Sequence, residues 1–530
     1  MVPSDFAKVV PRIKMDISEV ELMSHHGSSN NNIVLPRSSF YQGAYGRMFR
    51  KLPPWEPEGE SEAEKLQHIH CIATNTIKAE KDDTVEVKGV YQIPAGYTYF
   101  GQFVSHDITF DSTSSLTRLN DPDKLQNFRT PRFDLDSLYG KGPIVDSLLY
   151  DDPHRTRGKE KFLIDKLERF TLKTEQKEKV LTDPNELQEE FAQMEIRKWS
   201  EEDLPRNSQE RALIGDARND ENIIISQLQL AFLKFHNKQI DRFKNFEEAQ
   251  QSTRWHYQWV VIHDLLKRLC GSALVDRLLR SDCPGKPNLC FYHYKERPYI
   301  PVEFSVAAYR LHSMVRPRYQ LNELLKSGSL PIFIGSGNPL HDLRGFRKLP
   351  PKWTVQWDAF IHFEGQSYPQ LSRPIDTTLA RPLLKGHLKF LNDKVPDVVG
   401  VDDNENLYKK SLAFRNILRG WQMGLPSGQD VARRMGIEPL NERSDPLWVY
   451  IMKEAEKLGN NQEQLLGPVG ARIVSEVLIG LLAGDPQSYY SVNPMWMPEK
   501  GKYYKLKDFL VEADVPRTRR CIERIFNRNE

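Results

Sequence analysis

The stretch AAYRLHSMV, residues 307 to 315, sets Tyr309 three residues before His312 inside an apolar frame. A histidine there can ligate a metal, and a tyrosine beside it can pack or carry a radical. Four further stretches hold residues able to do chemistry. In GYTYFGQFVSHDITFD (96–111), Gln102 and His106 are four apart, which on a helix puts both on one face, one turn apart. Asp107 follows directly and must point elsewhere. In FRTPRFDLDSLYGKGP (128–143), Thr130, Asp134 and Asp136 alternate with the Arg132 carbonyl between them. Alternating oxygen donors of that kind suit a hard cation such as calcium. In LIGDARNDEN (213–222), Arg218 and Glu221 are three apart at a helix start. In SLAFRNILRGWQMGLPSGQDVAR (411–433), Asn416 and Arg419 share a helix face, and Gly424-Leu425-Pro426 stops the helix. Singly, each has an ordinary structural explanation: a core histidine, a polar turn, a surface ion pair, a packed tyrosine.

Such side chains need elements to hold them. Ile224, Ile225, Leu228, Phe232 and Phe235 recur at helical spacing, predicting a helix over 221–245 with one buried face and Asn219 or Asp220 as its cap. Helices are also expected over 255–279, 303–315, 406–422, 428–434 and 469–483. Strand-like alternation is sparse, with YIPVEF and IVLP as candidates. The fold class expected is mainly α: one large helical domain over 66–530, behind an irregular extension over 1–65 that holds SHHGSSNNN and LPPWEPEGESEAE. The charged segment 158–205 reads as helix plus solvated loop.

Composition narrows the functions. Over 530 residues, 74 basic side chains meet 72 acidic ones, and the cations are spread along the chain. Neither a nucleic-acid partner nor a strongly acidic substrate is implied. The five cysteines form no CxxC pair, so no zinc site is expected, and a reduced cytosolic protein fits. The N-terminus is charged and lacks an apolar core, so no signal peptide is expected, and no apolar run is long enough to span a membrane.

Taken together, and in this order, the motif stretches resemble the animal-type haem peroxidase superfamily, which includes myeloperoxidase, the cyclooxygenases and fatty-acid dioxygenases. GQFVSHD is similar to the family's GQ-x-x-DHD, GDARNDE to its GD-x-R-x-x-E, and NILRGWQMGLP to its N-x-x-R-x-x-x-x-GLP. The resemblance spans about 95 to 435 and implies a mostly helical domain holding a b-type or modified haem. By it, His106 is the distal histidine that moves a proton between the oxygens of hydrogen peroxide. Gln102 bonds a distal water or halide. Arg218 stabilises the charge that develops as the O–O bond breaks. His312 is the proximal iron ligand, Asn416 accepts the proton of its other ring nitrogen, and Arg419 pairs with a propionate. The family's calcium pattern falls on Thr130, Arg132, Asp134, Asp136 and Asp107, with Asp136 in place of a serine.

The departures matter as well. Ser105 stands where mammalian members have an ester-forming aspartate, while Glu221 matches the second ester-forming carboxylate, so covalent haem attachment is single or absent. Tyr309-x-x-His312 looks like the cyclooxygenases and fatty-acid dioxygenases, in which this tyrosine becomes a radical that takes hydrogen from a fatty acid before dioxygen adds. A helical turn between the two would bring Tyr309 to the haem. Two functions stay open: a linoleate-type dioxygenase acting on an unsaturated fatty acid and dioxygen, or a peroxidase using hydrogen peroxide and small phenolic or halide donors. Arg316, Arg318, Arg373 and Arg381 are candidate partners for a lipid carboxylate. With no EGF-like cysteine module and no anchor, the chain resembles a soluble bacterial member.

Overall fold

Long apolar stripes make this chain helical. The computed structural model describes residues 43–516 apart from 81–92, 112–113, 152–159, 167–201, 281, 295–296, 323–324, 326–327, 334–341, 351–352, 364–368, 385–394, 400–408, 410 and 460–464. Its principal helices are α1 (Glu62–Asn75), α2 (Gly96–Ile108), α3 (Ile223–Phe243), α4 (Phe246–Val260), α5 (Leu412–Gln422), α6 (Leu447–Glu454) and α7 (Pro468–Gly484). The single helical domain expected from the periodicity is what forms, with one contiguous core to which all seven contribute.

The face of α3 read from the sequence is buried along its length. It packs on α2 on one side and α4 on the other. Aromatic rings fill the gap: Phe103 of α2 stacks on Phe232 of α3 at 4.3 Å, and Tyr257 of α4 meets both rings edge-on. The cap of α3 is Asn222, whose side chain accepts from Ile225 N at 3.0 Å. Asn219 and Asp220, the expected caps, lie instead in a short 3-10 turn, Ala217–Asp220. That turn starts where the Asp216 side chain accepts from Arg218 N.

Two expected helices break. After α4 the chain runs through a π-helical turn (Val261–Leu266) and a short α turn to Gly271, whose φ of 82° ends it before Ser272–Leu279. That backbone conformation is open to glycine and strained for other residues. The helix expected over 303–315 is shorter still. A π-helix covers Glu303–Ala308, Arg310 and Leu311 lie outside any helix, and His312–Met314 forms a separate 3-10 turn.

Strands are few. Gly43–Gly46 pairs antiparallel with Gln126–Asn127 and parallel with Ile300–Pro301, the latter all that YIPVEF contributes. Residues 43–61, expected in the irregular extension, join the core. Trp55 is buried and its N–H donates to Leu425 O at 2.7 Å, and the buried Glu303 carboxylate accepts from Met48 N and Phe49 N. Residues 1–42, with the candidate strand IVLP, lie outside the described residues. Of 158–205, residues 160–166 and 202–205 are described, and there Asp165–Lys166 pairs with Glu202–Asp203.

Gly345 sets the position of the 217–222 turn. Its N–H donates to Glu221 O at 2.9 Å, that of Phe346 donates to Asp220 O at 2.8 Å, and a Cβ on residue 345 would collide with the Asp220 carbonyl. Gly345→Ala should therefore cost ~1–3 kcal/mol of stability through overpacking, read as a lower urea midpoint. An unchanged midpoint would mean the turn yields freely.

Candidate active site

The chemistry-bearing face of α2 meets the 217–222 turn. His106 is fully buried, and its Nδ1 lies 2.8 Å from Asn219 Oδ1. Asn219 Nδ2 donates to Gln229 Oε1 of α3 at 2.9 Å. Because the Asn219 amide nitrogen is spent on Gln229, its oxygen faces the imidazole. That puts the proton on Nδ1 and the basic lone pair on Nε2. Burial, reinforced by Arg218, brings the imidazole pKa down to about 3, so the ring is neutral near pH 7. Gln102, one turn earlier, donates its amide to Glu221 Oε1. Glu221 Oε2 is buried with no hydrogen-bond partner among the described residues. Burial pushes this carboxyl well above its ordinary range, and Arg218 opposes the shift.

Asp216 organises the cations. Its Oδ2 accepts from Arg129 Nη2 at 2.5 Å and Arg218 Nη2 at 2.7 Å. All three groups are buried. Burial alone would raise the Asp216 carboxyl, but Arg129 and Arg218 outweigh it and hold it far below the usual range. Arg218 Nη2 also donates to the His106 carbonyl at 2.8 Å, and Nη1 is buried with no partner among the described residues. Arg218 is thus clamped by one edge with a donor to spare. Asp216, Gln229 and Arg129 were not singled out from the sequence and Asn219 was read only as a candidate helix cap, although Asp216 and Asn219 stand in the quoted LIGDARNDEN and Arg129 in FRTPRFDLDSLYGKGP.

Around Tyr309 the backbone departs from expectation. The Tyr309 N–H donates to Phe304 O at 2.9 Å, an i to i+5 bond that ends the π-helix. Its ring stacks on Phe304, five residues back, at 4.9 Å. A π-turn aligns residues five apart, which an α-helix would not. The Tyr309 hydroxyl is buried against α2, 3.6 Å from where a Gly101 Cβ would stand, with no hydrogen-bond partner among the described residues. Burial raises its pKa well above the usual phenol value. The expected helical turn from Tyr309 to His312 does not form, since Arg310 and Leu311 are non-helical.

Asn416 also differs from expectation. Its Oδ1 accepts from Arg310 Nη1 at 2.7 Å, and its Nδ2 faces His312 Nδ1 at 3.4 Å. A guanidinium is the stronger donor and claims the carbonyl that was expected to serve His312. Arg419 is buried and donates to Ser114 Oγ at 2.6 Å. Burial and then the Arg419 charge bring Arg310 and Arg415 down to about 9. Tyr45, whose buried hydroxyl has no described partner, feels the charges of Asp111, Arg218, Arg310 and Arg419, so the two halves of the site adjoin.

The expected cation loop converges. One carboxylate oxygen each from Asp107, Asp134 and Asp136 lies within 4.8 Å of the others. Thr130 Oγ1 donates to Asp134 Oδ1 at 2.9 Å, and Ser137 Oγ to Asp107 Oδ1 at 2.9 Å. Burial, then Asp136, raises Asp107 well above its ordinary value, and burial raises Asp136 to about 7 against the pull of Arg129. The Arg132 guanidinium turns outward, 4.0 Å from Asp485.

A family model described as animal haem peroxidase matches residues 121–458. The chain belongs to the animal haem peroxidase family. It is an oxidoreductase, and the family's cofactor is haem. The match takes in Arg218, Tyr309, His312, Asn416, Arg419 and the Thr130–Asp136 loop, while Gln102 and His106 precede it. No curated protein matches. The fold is shared with peroxidase A from Dictyostelium discoideum, at 15% identity and a TM-score of 0.50 over 95% of this chain and 97% of that one. It is equally shared with a fatty acid alpha-dioxygenase from Arabidopsis thaliana, at 15% identity and a TM-score of 0.50 over 97% of this chain and 82% of that one. Among the described residues no helix is long and apolar enough to cross a membrane.

Asp216→Asn takes the counter-charge from buried Arg218 and leaves buried Arg129 with Asp136 alone, 3.4 Å away. Unfolding of the cofactor-free protein in urea should show a loss of ~3–5 kcal/mol. A loss below ~1 kcal/mol would mean that the carboxylate is not what holds Arg129 and Arg218.

Proposed function

We propose that this chain is a haem-dependent dioxygenase of unsaturated fatty acids, of the linoleate type, that forms a lipid hydroperoxide through a radical on Tyr309. The observation that carries this reading is the Tyr309 hydroxyl, buried without a described partner and set three residues before His312. A buried phenol ordinarily finds a hydrogen-bond partner. Leaving it unbonded suits a group that must exchange a hydrogen atom with an apolar chain.

The residues present fit haem. Arg218 Nη1 and Glu221 Oε2 are buried donor and acceptor with nothing described to meet them. Arg419 is buried beside Asp111, donates to Ser114 and could turn its charge to a propionate. In this reading His312 holds the iron, Arg419 meets a propionate, and haem supplies the oxidising equivalents drawn from a peroxide. His106 Nε2 takes the peroxide proton and returns it to the departing oxygen, its tautomer set by Asn219. Arg218, immobilised by Asp216, presents Nη1 to the negative charge that develops. Tyr309 would pass its electron and phenolic proton to the peroxide-oxidised cofactor; the oxygen-centred radical then takes a hydrogen atom from the substrate chain, dioxygen adds to the carbon left behind, and the resulting peroxyl radical takes the hydrogen atom back from Tyr309, which gives the hydroperoxide and renews the tyrosyl radical. Gln102 donates one amide hydrogen to Glu221 and keeps a second for a distal water or halide.

Oxygen uptake by the haem-loaded protein with linoleate and a trace of peroxide tests the reading. Wild type should consume oxygen, and Tyr309→Phe should lose at least ~100-fold while still oxidising guaiacol. Phenol oxidation without lipid-dependent uptake in either protein would make the chain a peroxidase and Tyr309 a packing residue.

Calcium is the second proposed ion, held by Asp107, Thr130, Asp134, Asp136 and the Arg132 carbonyl. Three crowded carboxylates gain most from a divalent cation. At a hundredfold excess over its Kd, calcium should add ~2.7 kcal/mol of stability, seen as a higher melting temperature that chelation reverses. Asp134→Asn should abolish the increment, and an equal increment in that variant would place calcium elsewhere.

A further inference from the structure

Four arginines were candidates for a lipid carboxylate, and the structure separates them. Arg318 is committed to Ser329, through Nε to Oγ at 3.1 Å and through Nη2 to the carbonyl. Arg373 pairs with Glu80 at 2.8 Å, and Arg381 is exposed on a short helix. Arg373 too has its Nε buried without a hydrogen bond, but Glu80 balances its charge, whereas Arg316 is half-buried and faces no carboxylate among the described residues. Its Nη1 donates to Leu371 O at 2.9 Å, while its Nε is buried with no hydrogen-bond partner among the described residues. Two tyrosines stand beside it. Tyr319 Oη accepts from Arg316 N at 2.8 Å and keeps its own proton to donate. Tyr99 of α2 meets the Tyr319 ring edge-on at 5.4 Å; it is 2% exposed, and the two phenols interact through their hydroxyls.

Three segments converge to build this corner. Thr98 and Ser372 share a hydroxyl contact at 2.7 Å, and Arg373 N donates to Met314 O at 3.1 Å. These bonds fix the first turn of α2, the 314–319 segment and Leu371–Arg373 to one another. Tyr99 is three residues before Gln102 and seven before His106, so the corner lies on the face of α2 that carries the site, ~10 Å along the axis from His106. A cation with a spare Nε–H, beside a phenol pair that shares one proton and keeps the other to donate, is a match for the two oxygens of a carboxylate.

We propose that Arg316, with the hydroxyls of Tyr99 and Tyr319, binds the carboxylate of the lipid substrate. The proposal rests on the fatty-acid reading above and adds the head-group site to it. Arg316 does not touch the reacting atoms; it positions the chain whose carbon meets Tyr309.

The test is equilibrium binding of linoleate and of linoleyl alcohol to the haem-loaded protein, followed by tryptophan fluorescence and calorimetry. Wild type should prefer the acid by roughly tenfold or more, and Arg316→Met should weaken linoleate binding by about thirtyfold while leaving the alcohol within about twofold. Arg316→Lys should restore most of the preference, and Tyr99→Phe should lose about three- to fivefold for the acid alone. Should Arg316→Met not fold, Tyr99→Phe carries the same comparison. Linoleate binding unchanged in the variants overturns the anchor and leaves the fatty-acid reading standing. A wild type that binds acid and alcohol alike also overturns the anchor, and one that binds neither lipid overturns both.

Discussion

A single buried carboxylate ties the working parts of this protein together. Asp216 lies between Arg129 and Arg218, and none of the three side chains reaches water. Taking a carboxylate out of water costs several kcal/mol, which two guanidiniums with direct hydrogen bonds offset. Arg218 then reaches the His106 carbonyl, so the turn that follows Asp216 is fastened to α2. Arg129 reaches the other way, 3.4 Å from Asp136 in the carboxylate loop. Asp107 of that loop is the residue after His106. The carboxylate loop and His106 are therefore two ends of one hydrogen-bonded frame.

The second constraint is the backbone before His312. An α-helix carried through from 303 to 315 would have stacked Tyr309 over Ser305 and Val306. The π-turn moves it onto Phe304 and brings its hydroxyl up to Gly101 of α2. Arg310 is then free to take the Asn416 carbonyl. A wider turn costs hydrogen-bond geometry, and such turns collect at functional sites. Here it places an unbonded phenol beside the helix that bears Gln102 and His106.

Much of this was legible in the residues. The period of Ile224, Leu228, Phe232 and Phe235 announced α3, and the spacing of Gln102 and His106 announced a shared face on α2, because side-chain burial repeats with the helix. The convergence of Asp107, Asp134 and Asp136 followed from the family pattern. Other features leave no such trace. The π-turn shifts backbone bonds without changing the apolar pattern of 303–308, so a plain helix was expected. Competition for Asn416 depends on how the loop that carries Arg310 approaches α5, which spacing along one chain does not encode. The Asp216 clamp joins residues 87 apart through Arg129, and only folding brings them into contact.

The central claim is that Tyr309 carries an unpaired electron rather than merely filling space. Electron paramagnetic resonance on the haem-loaded protein, freeze-quenched after peroxide, tests it directly. Wild type should show a tyrosyl radical whose hyperfine splitting collapses with ring-deuterated tyrosine, and Tyr309→Phe should lack that signal. An identical tyrosyl signal in Tyr309→Phe would contradict the account and return Tyr309 to the core.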